Sequence, residues 1–172
     1  MKTSVNAQNP IMATKPSRQF SLDAASIPEP IYIAQANPTE SLDSLEQAVY
    51  NQVNQYRTSN GLPPLTLDSR ISEQARNHSQ DMANGQVPFG HDGFQARIQA
   101  IEQVIPLSAA AENAAYNQGY SGPASVAVQG WLKSPGHLTN IKGQYNLTGI
   151  GVAKNAQGAH YFTQIFINSS QN

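Results

Sequence analysis

Four short stretches hold the residues that could do chemistry. "FGHDGF" (Phe89–Phe94) sets His91 and Asp92 between two glycines, and "AENAA" (Ala111–Ala115) carries Glu112. "WLKSPGHLTNI" (Trp131–Ile141) contains Ser134 and His137, and "YFTQIF" contains Tyr161 and Gln164. Imidazole and carboxylate are ordinary zinc ligands, and three protein ligands plus a water make an open site. His91, Glu112 and His137 are therefore candidate metal ligands. They must converge from separate segments, because the chain has no His-Glu-x-x-His helix. Asp92 is a further ligand or the hydrogen-bond partner of an imidazole. The alternative is that Glu112 and His137 bond each other or loop backbone and hold irregular segments together.

Other patterns are weaker. Ser134 and His137 stand three residues apart with no acid placed for them, a poor start for a Ser–His nucleophile. His78 falls on the apolar face of a helix, where a histidine satisfied by a backbone carbonyl is expected. Trp131 reads as core. Gly149-Ile-Gly151 lies in a strand rather than a strand-to-helix turn, so it is no dinucleotide fingerprint. Three Asn-x-Ser/Thr sites, at Asn77, Asn146 and Asn168, match the glycosylation pattern, which is frequent by chance.

The bulk properties narrow the partners. The 172 residues carry a net charge of −1, which gives no basic field for nucleic acid or an anionic membrane. Charged residues make up 12% of the chain, about half the usual share of roughly 25%, so Asn, Gln, Ser and Thr carry the polar surface. Without cysteine there is no disulfide, thiolate nucleophile or Cys-type zinc site. No run approaches the ~20 apolar residues of a membrane span. "MKTSVNAQNP" lacks the apolar core of a signal peptide; the chain is then either cytosolic or a mature form whose leader has been removed.

The elements that must position these groups begin near residue 40. Residues 1–39 hold five of the eleven prolines and sustain no period; they read as a largely disordered tail or linker, with "IPEPIYIAQ" as a potential edge strand. Residues 40–172 read as one domain. Leu42, Leu45, Val49, Val53 and Tyr56 recur at helical spacing up to Gly61. Asp68 or Ser69 caps a second helix with Ile71, Ala75, His78 and Met82 on one face and Gly85 near its end. A third helix runs from Phe94 to about Val104. Gly122-Pro123 opens a fourth, with Val126, Gly130 and Trp131 inward, and Pro135 starts a brief helical turn. "YNLTGIGVAK" and "AHYFTQIFIN" flank the turn signal "NAQG" as a hairpin. In its second strand Tyr161, Thr163, Ile165 and Ile167 face one way, and His160, Phe162, Gln164 and Phe166 the other. The class is α+β.

"VNQYRTSNGLPPLTLD", "ARNHSQDMA", "GHDGFQAR", "AENAA", "WLKSPGHLTNI", "TGIGVA" and "YFTQIF" stand in one order from about Leu45 to Asn168. This series resembles the CAP superfamily of cysteine-rich secretory, antigen 5 and pathogenesis-related proteins, most of all its bacterial branch. The resemblance implies a three-layer α-β-α sandwich with a central antiparallel sheet and a surface cleft. It also implies a tetrad of two histidines and two acids, which binds a divalent metal in some members. His91 and Glu112 stand at two of those positions. Ser134 replaces the second acid, Tyr161 the last histidine, and His137 is the candidate substitute. With half the tetrad altered, zinc held weakly is expected ahead of calcium or magnesium, which want several oxygens.

The resulting expectation is an exported or cell-envelope binding module that works as a monomer. Its cleft is formed by His91, Glu112, Ser134, His137, Tyr161 and Gln164 and takes a small apolar ligand of lipid or sterol type, or an envelope partner. The alternatives are a metal-dependent hydrolase with Glu112 as base and a scaffold whose site is vestigial.

Overall fold

The computed structural model describes residues 41–170 and the backbone of residues 5–7 and 11–12. The expected edge strand "IPEPIYIAQ" and most of the expected tail lie outside the described residues. The elements run β1 (Val5–Ala7), β2 (Ile11–Met12), α1 (Leu42–Ser59), β3 (Thr66–Leu67), α2 (Ser69–Ala83), α3 (Phe94–Glu102), β4 (Leu107–Gln118), α4 (Pro123–Lys133), α5 (Pro135–Lys142), β5 (Leu147–Lys154) and β6 (Ala159–Ser169). Among the described residues no helix is long and apolar enough to cross a membrane.

The helix ends follow local chemistry. Ser41 caps α1 by accepting from the Ser44 N–H at 3.1 Å, and Asp68 caps α2 by accepting from the Arg70 N–H at 2.9 Å. Pro123 and Pro135 open α4 and α5, where a missing N–H costs nothing. The segment after Pro135 is a full helix rather than a brief turn. In α4 the buried stripe is Ala124, Ala127, Val128 and Trp131; Val126 and Gly130, expected inward, are half-buried.

The sheet has the order β1-β4-β6-β5-β3, with β2 also on β4. Its centre is antiparallel: β6 lies between β4 and β5, with Glu112 opposite Ile165 and Gly151 opposite Thr163. The short strands join in parallel, β3 to β5 and β1 and β2 to β4. Side chains alternate between the two faces. One face, with Ala111, Ala115, Ile150, Val152, Phe162 and Phe166, packs against α1, α4 and Ile141 of α5. The other, with Ala110, Ile165 and Ile167, packs against Ile71 and Ala75 of α2 and Phe94, Ile98 and Ile101 of α3. The expected three-layer α-β-α sandwich is thus present.

Two side-chain-free positions bring α2 onto the sheet. A Cβ on Gly151 would lie 2.1 Å from the Arg76 nitrogen, and one on Gly149 would lie 2.3 Å from the backbone of Ile71 and Ser72. The contact is sealed by Ser79, whose hydroxyl donates to the Gly151 carbonyl at 2.9 Å and meets the Thr163 hydroxyl at 2.8 Å. On the opposite face, buried Arg57 of α1 donates to four carbonyls: Pro63, Ile141, Gly143 and Tyr145. This clamp fixes the C-terminal end of α5, and with it the helix that carries His137.

Candidate functional site

Helix α2 holds the His91 loop from beneath. His78, 2% exposed, donates from Nε2 to the Gly90 carbonyl at 2.8 Å. Burial pushes its pKa below the ordinary histidine range, against the nearby Glu112 carboxylate, which pulls the other way. The loop then turns into α3 through Gly93, whose φ of 77° suits glycine. A Cβ there would also stand 3.3 Å from Nη1 of Arg97.

Glu112 is the centre of the arrangement. Strand alternation aims its carboxylate toward α2 and α3, and 1% of the side chain is exposed. His91 donates from Nδ1 to Oε1 at 2.9 Å. Arg97 of α3 makes a fork, with Nε donating to Oε2 at 2.9 Å and Nη2 to Oε1 at 2.8 Å, while Nη1 closes on the Asp92 carbonyl at 2.7 Å. His78 Nε2 stands 3.9 Å from Oε1, beyond a hydrogen bond. One carboxylate therefore binds two segments to the sheet, with charge-assisted bonds on both oxygens.

His137 reaches the same stretch of β4 differently. Asn113 points to the opposite face from Glu112, and its amide donates to the His137 carbonyl at 3.2 Å. Asn140 donates to the Asn113 side chain at 2.9 Å and to the Glu112 carbonyl at 3.3 Å. The His137 ring is buried; its Nδ1 meets the Ser134 hydroxyl at 2.8 Å, and among the described residues its Nε2 has no hydrogen-bond partner. Ser134 is the N-cap residue of α5, yet its hydroxyl serves His137 rather than the helix N–H groups. Desolvation, with a smaller contribution from the charge on His91, lowers the His137 pKa to about 4.

Tyr161 lies on the Glu112 face, stacked on Tyr116 with ring centroids 5.6 Å apart. Phe89 stands edge-on to Tyr116 at 4.9 Å. These half-buried rings form an aromatic ledge, and Phe89 stands two residues before His91 in the chain. Gln164 is not brought to this group. Three residues beyond Tyr161, it stands on the other face, fully buried, and donates to the Thr148 hydroxyl at 3.1 Å. Among the described residues no three of His, Cys, Asp and Glu come together at metal-ligand spacing.

Residues 50–166 match the CAP family, the cysteine-rich secretory protein family. The chain belongs to the CAP family. YkwD of Bacillus subtilis (strain 168) is 34% identical over 130 residues, covering 74% of this chain but 48% of its own length, so the chain spans about half of that CAP relative. A solved extracellular protein containing an SCP domain from Bacillus anthracis superposes with a TM-score of 0.62 at 30% identity, over 73% of this chain and 41% of that one. An outer surface protein of Borrelia burgdorferi shares the CAP fold, with a TM-score of 0.60 at 18% identity over 76% of this chain and 96% of its own.

Sequence reasoning did not single out Arg97, Phe89 and Tyr116. Arg97 was visible only as the last residue of "GHDGFQAR". Tyr116 is four residues after Glu112, hence on its face once β4 is known to be a strand.

Proposed function

We propose that this CAP domain is an exported binding module that takes a small apolar ligand at the ledge of Phe89, Tyr116 and Tyr161, with neither catalysis nor a tightly held metal. The observation that carries the reading is the engagement of Glu112, which accepts two hydrogen bonds on Oε1 and one on Oε2. Its two buried oxygens already accept from His91 and from the Arg97 fork. A general base needs a lone pair within reach of substrate, and a metal ligand needs one for the ion; here the guanidinium supplies the positive charge that an ion would bring. The rest of the donor set fits a metal no better, since Ser134 and Tyr161 stand where the family has an acid and a histidine. His137, held neutral by burial, bonds Ser134 through Nδ1. Export is supported by the relatives named as an extracellular protein and an outer surface protein.

The aromatic ledge supports the apolar class of ligand, because three rings packed edge-on and stacked offer apolar surface with few polar atoms. The test is an NMR titration of the full chain with palmitate and with a soluble sterol sulfate. Saturable movement of the Phe89, Tyr116 and Tyr161 ring signals is expected with one of them. Rings that stay unmoved by both would refute the apolar-ligand reading.

A further inference from the structure

The two edges of the sheet are finished differently. Along β5, beyond its short pairing with β3, side chains of α1 and α2 take the main-chain groups. Ser72 accepts from the Ile150 N–H at 3.3 Å, Glu46 accepts from the Val152 N–H at 3.2 Å, and Ser79 donates to the Gly151 carbonyl at 2.9 Å. That edge is closed by the domain itself. Along β4 the cover is main chain. Val5–Ala7 pairs in parallel with Ala110–Glu112, and Ile11–Met12 with Ala115–Tyr116. From Ala7 to Ile11 the N-terminal side takes four steps, and from Glu112 to Ala115 β4 takes three, so the ladder is interrupted once. The interruption falls at Asn113 and Ala114, where the Trp131 indole already donates to the Ala114 carbonyl at 3.1 Å. In sequence, Pro10, which has no N–H to give, falls in the same interval.

This is the geometry of strand addition, in which main-chain bonds hold an extended segment whatever its origin. Five paired residues of parallel ladder are a light hold, so the occupant can be exchanged. The charge pattern limits what can replace it. The occupying stretch "VNAQNPIM" carries no charge. Glu112 is the one charged residue of β4 between 110 and 116, and its carboxylate is held by His91 and Arg97 on the α2–α3 face. A charged peptide would find no free countercharge on this strand.

We infer that the outer edge of β4 is a docking surface for an uncharged extended peptide, bound parallel to the strand, and that residues 5–12 are its resident competitor. A partner that presents such a segment must displace the chain's own. The surface uses the main chain of β4, whereas the aromatic ledge uses side chains on one face of the sheet.

The test is fluorescence anisotropy with a labelled synthetic peptide of residues 3–14. The receptors are the full parent chain and its full-length variant Asn6→Pro/Ala7→Pro/Ile11→Pro/Met12→Pro. Neighbouring residues of a strand turn their N–H groups to opposite sides, so replacing neighbours removes the bonds to β4 whichever of them makes these. The substitutions leave residues 41–170 untouched. The variant should bind the peptide saturably, one per chain, and at least about tenfold more tightly than the parent, whose own strand competes. The backbone amide NMR signals of β4 between 110 and 116 should move with binding. A peptide carrying the same four prolines should bind neither protein. The inference is overturned if the variant does not bind the peptide, if parent and variant bind it alike, or if the proline peptide binds as well as the native one. A parent that sediments as a dimer while the variant sediments as a monomer would assign the strand to a second copy and would overturn it as well.

Discussion

Arg97 and Glu112 meet at two points, Nε to Oε2 at 2.9 Å and Nη2 to Oε1 at 2.8 Å, inside a site from which water is largely excluded. A buried fork of this kind is not in itself strong evidence of net stabilisation, because desolvating both ions opposes their attraction. Its consequence lies elsewhere: neither partner can be removed alone. The pair also ties α3 to β4 and, through the Asp92 carbonyl, sets the loop that carries His91.

Removing one member should therefore be costly. Arg97→Met and Glu112→Gln are each expected to destabilise the domain by about 3–5 kcal/mol, the range for an uncompensated buried charge or an orphaned partner. The double variant should lose less than the sum of the two. Urea denaturation of the four proteins in the cycle measures this. Additive losses would mean that the fork is not a coupled unit.

Stability should fall in mildly acidic solution. The His137 pKa in the folded state is about 4, below its unfolded value of 6.5, so the unfolded chain binds more protons between these limits. Folding stability then rises with pH through that window and is lost as pH drops from 6.5 toward 4. His78 shifts in the same direction. Melting temperatures taken across this range should decline, and His137→Gln should flatten part of the slope. A His137→Gln profile with the parent's slope would remove His137 from the account.

Gly151 tests the approach of α2 to the sheet. Its added Cβ would meet backbone atoms at 2.1–2.5 Å, which no side-chain rearrangement can relieve. Gly151→Ala should cost at least the upper end of the about 1–3 kcal/mol typical of overpacking. Gly158→Ala, in the hairpin turn where an added Cβ would meet only Lys154 Cε at an ordinary 3.9 Å, should be limited to the smaller strain of its φ of 84°. Equal denaturation midpoints for the two variants would contradict this packing.

The helices were legible because their signals are local. The Leu45–Val49–Val53 stripe, the Asp68 cap and the prolines at 123 and 135 act within a turn or two of the chain. Strand β4 was not legible from periodicity. "LSAAAENAAYNQ" is rich in alanine, which favours helix. It is a strand because small side chains let helices close on both of its faces, a tertiary effect that overrides propensity. The site divides in the same way. His91 and Glu112 stand in short motifs and could be nominated from sequence. Arg97 acts on Glu112 only through the angle at which α3 leaves Gly93, and the separation of Gln164 from Tyr161 follows from the strand's alternation.

The central claim is that Glu112 is already occupied by Arg97 and His91, so that this cleft is a braced binding site rather than a metal centre. A zinc titration of the metal-free full chain near pH 7.5, read on the histidine ring NMR signals, tests it most directly. The account predicts no saturable, one-to-one movement of the His91 and His137 rings at stoichiometric zinc. Joint, saturating shifts of both rings at one equivalent would contradict it, and would mean that the ion can displace the guanidinium from Glu112.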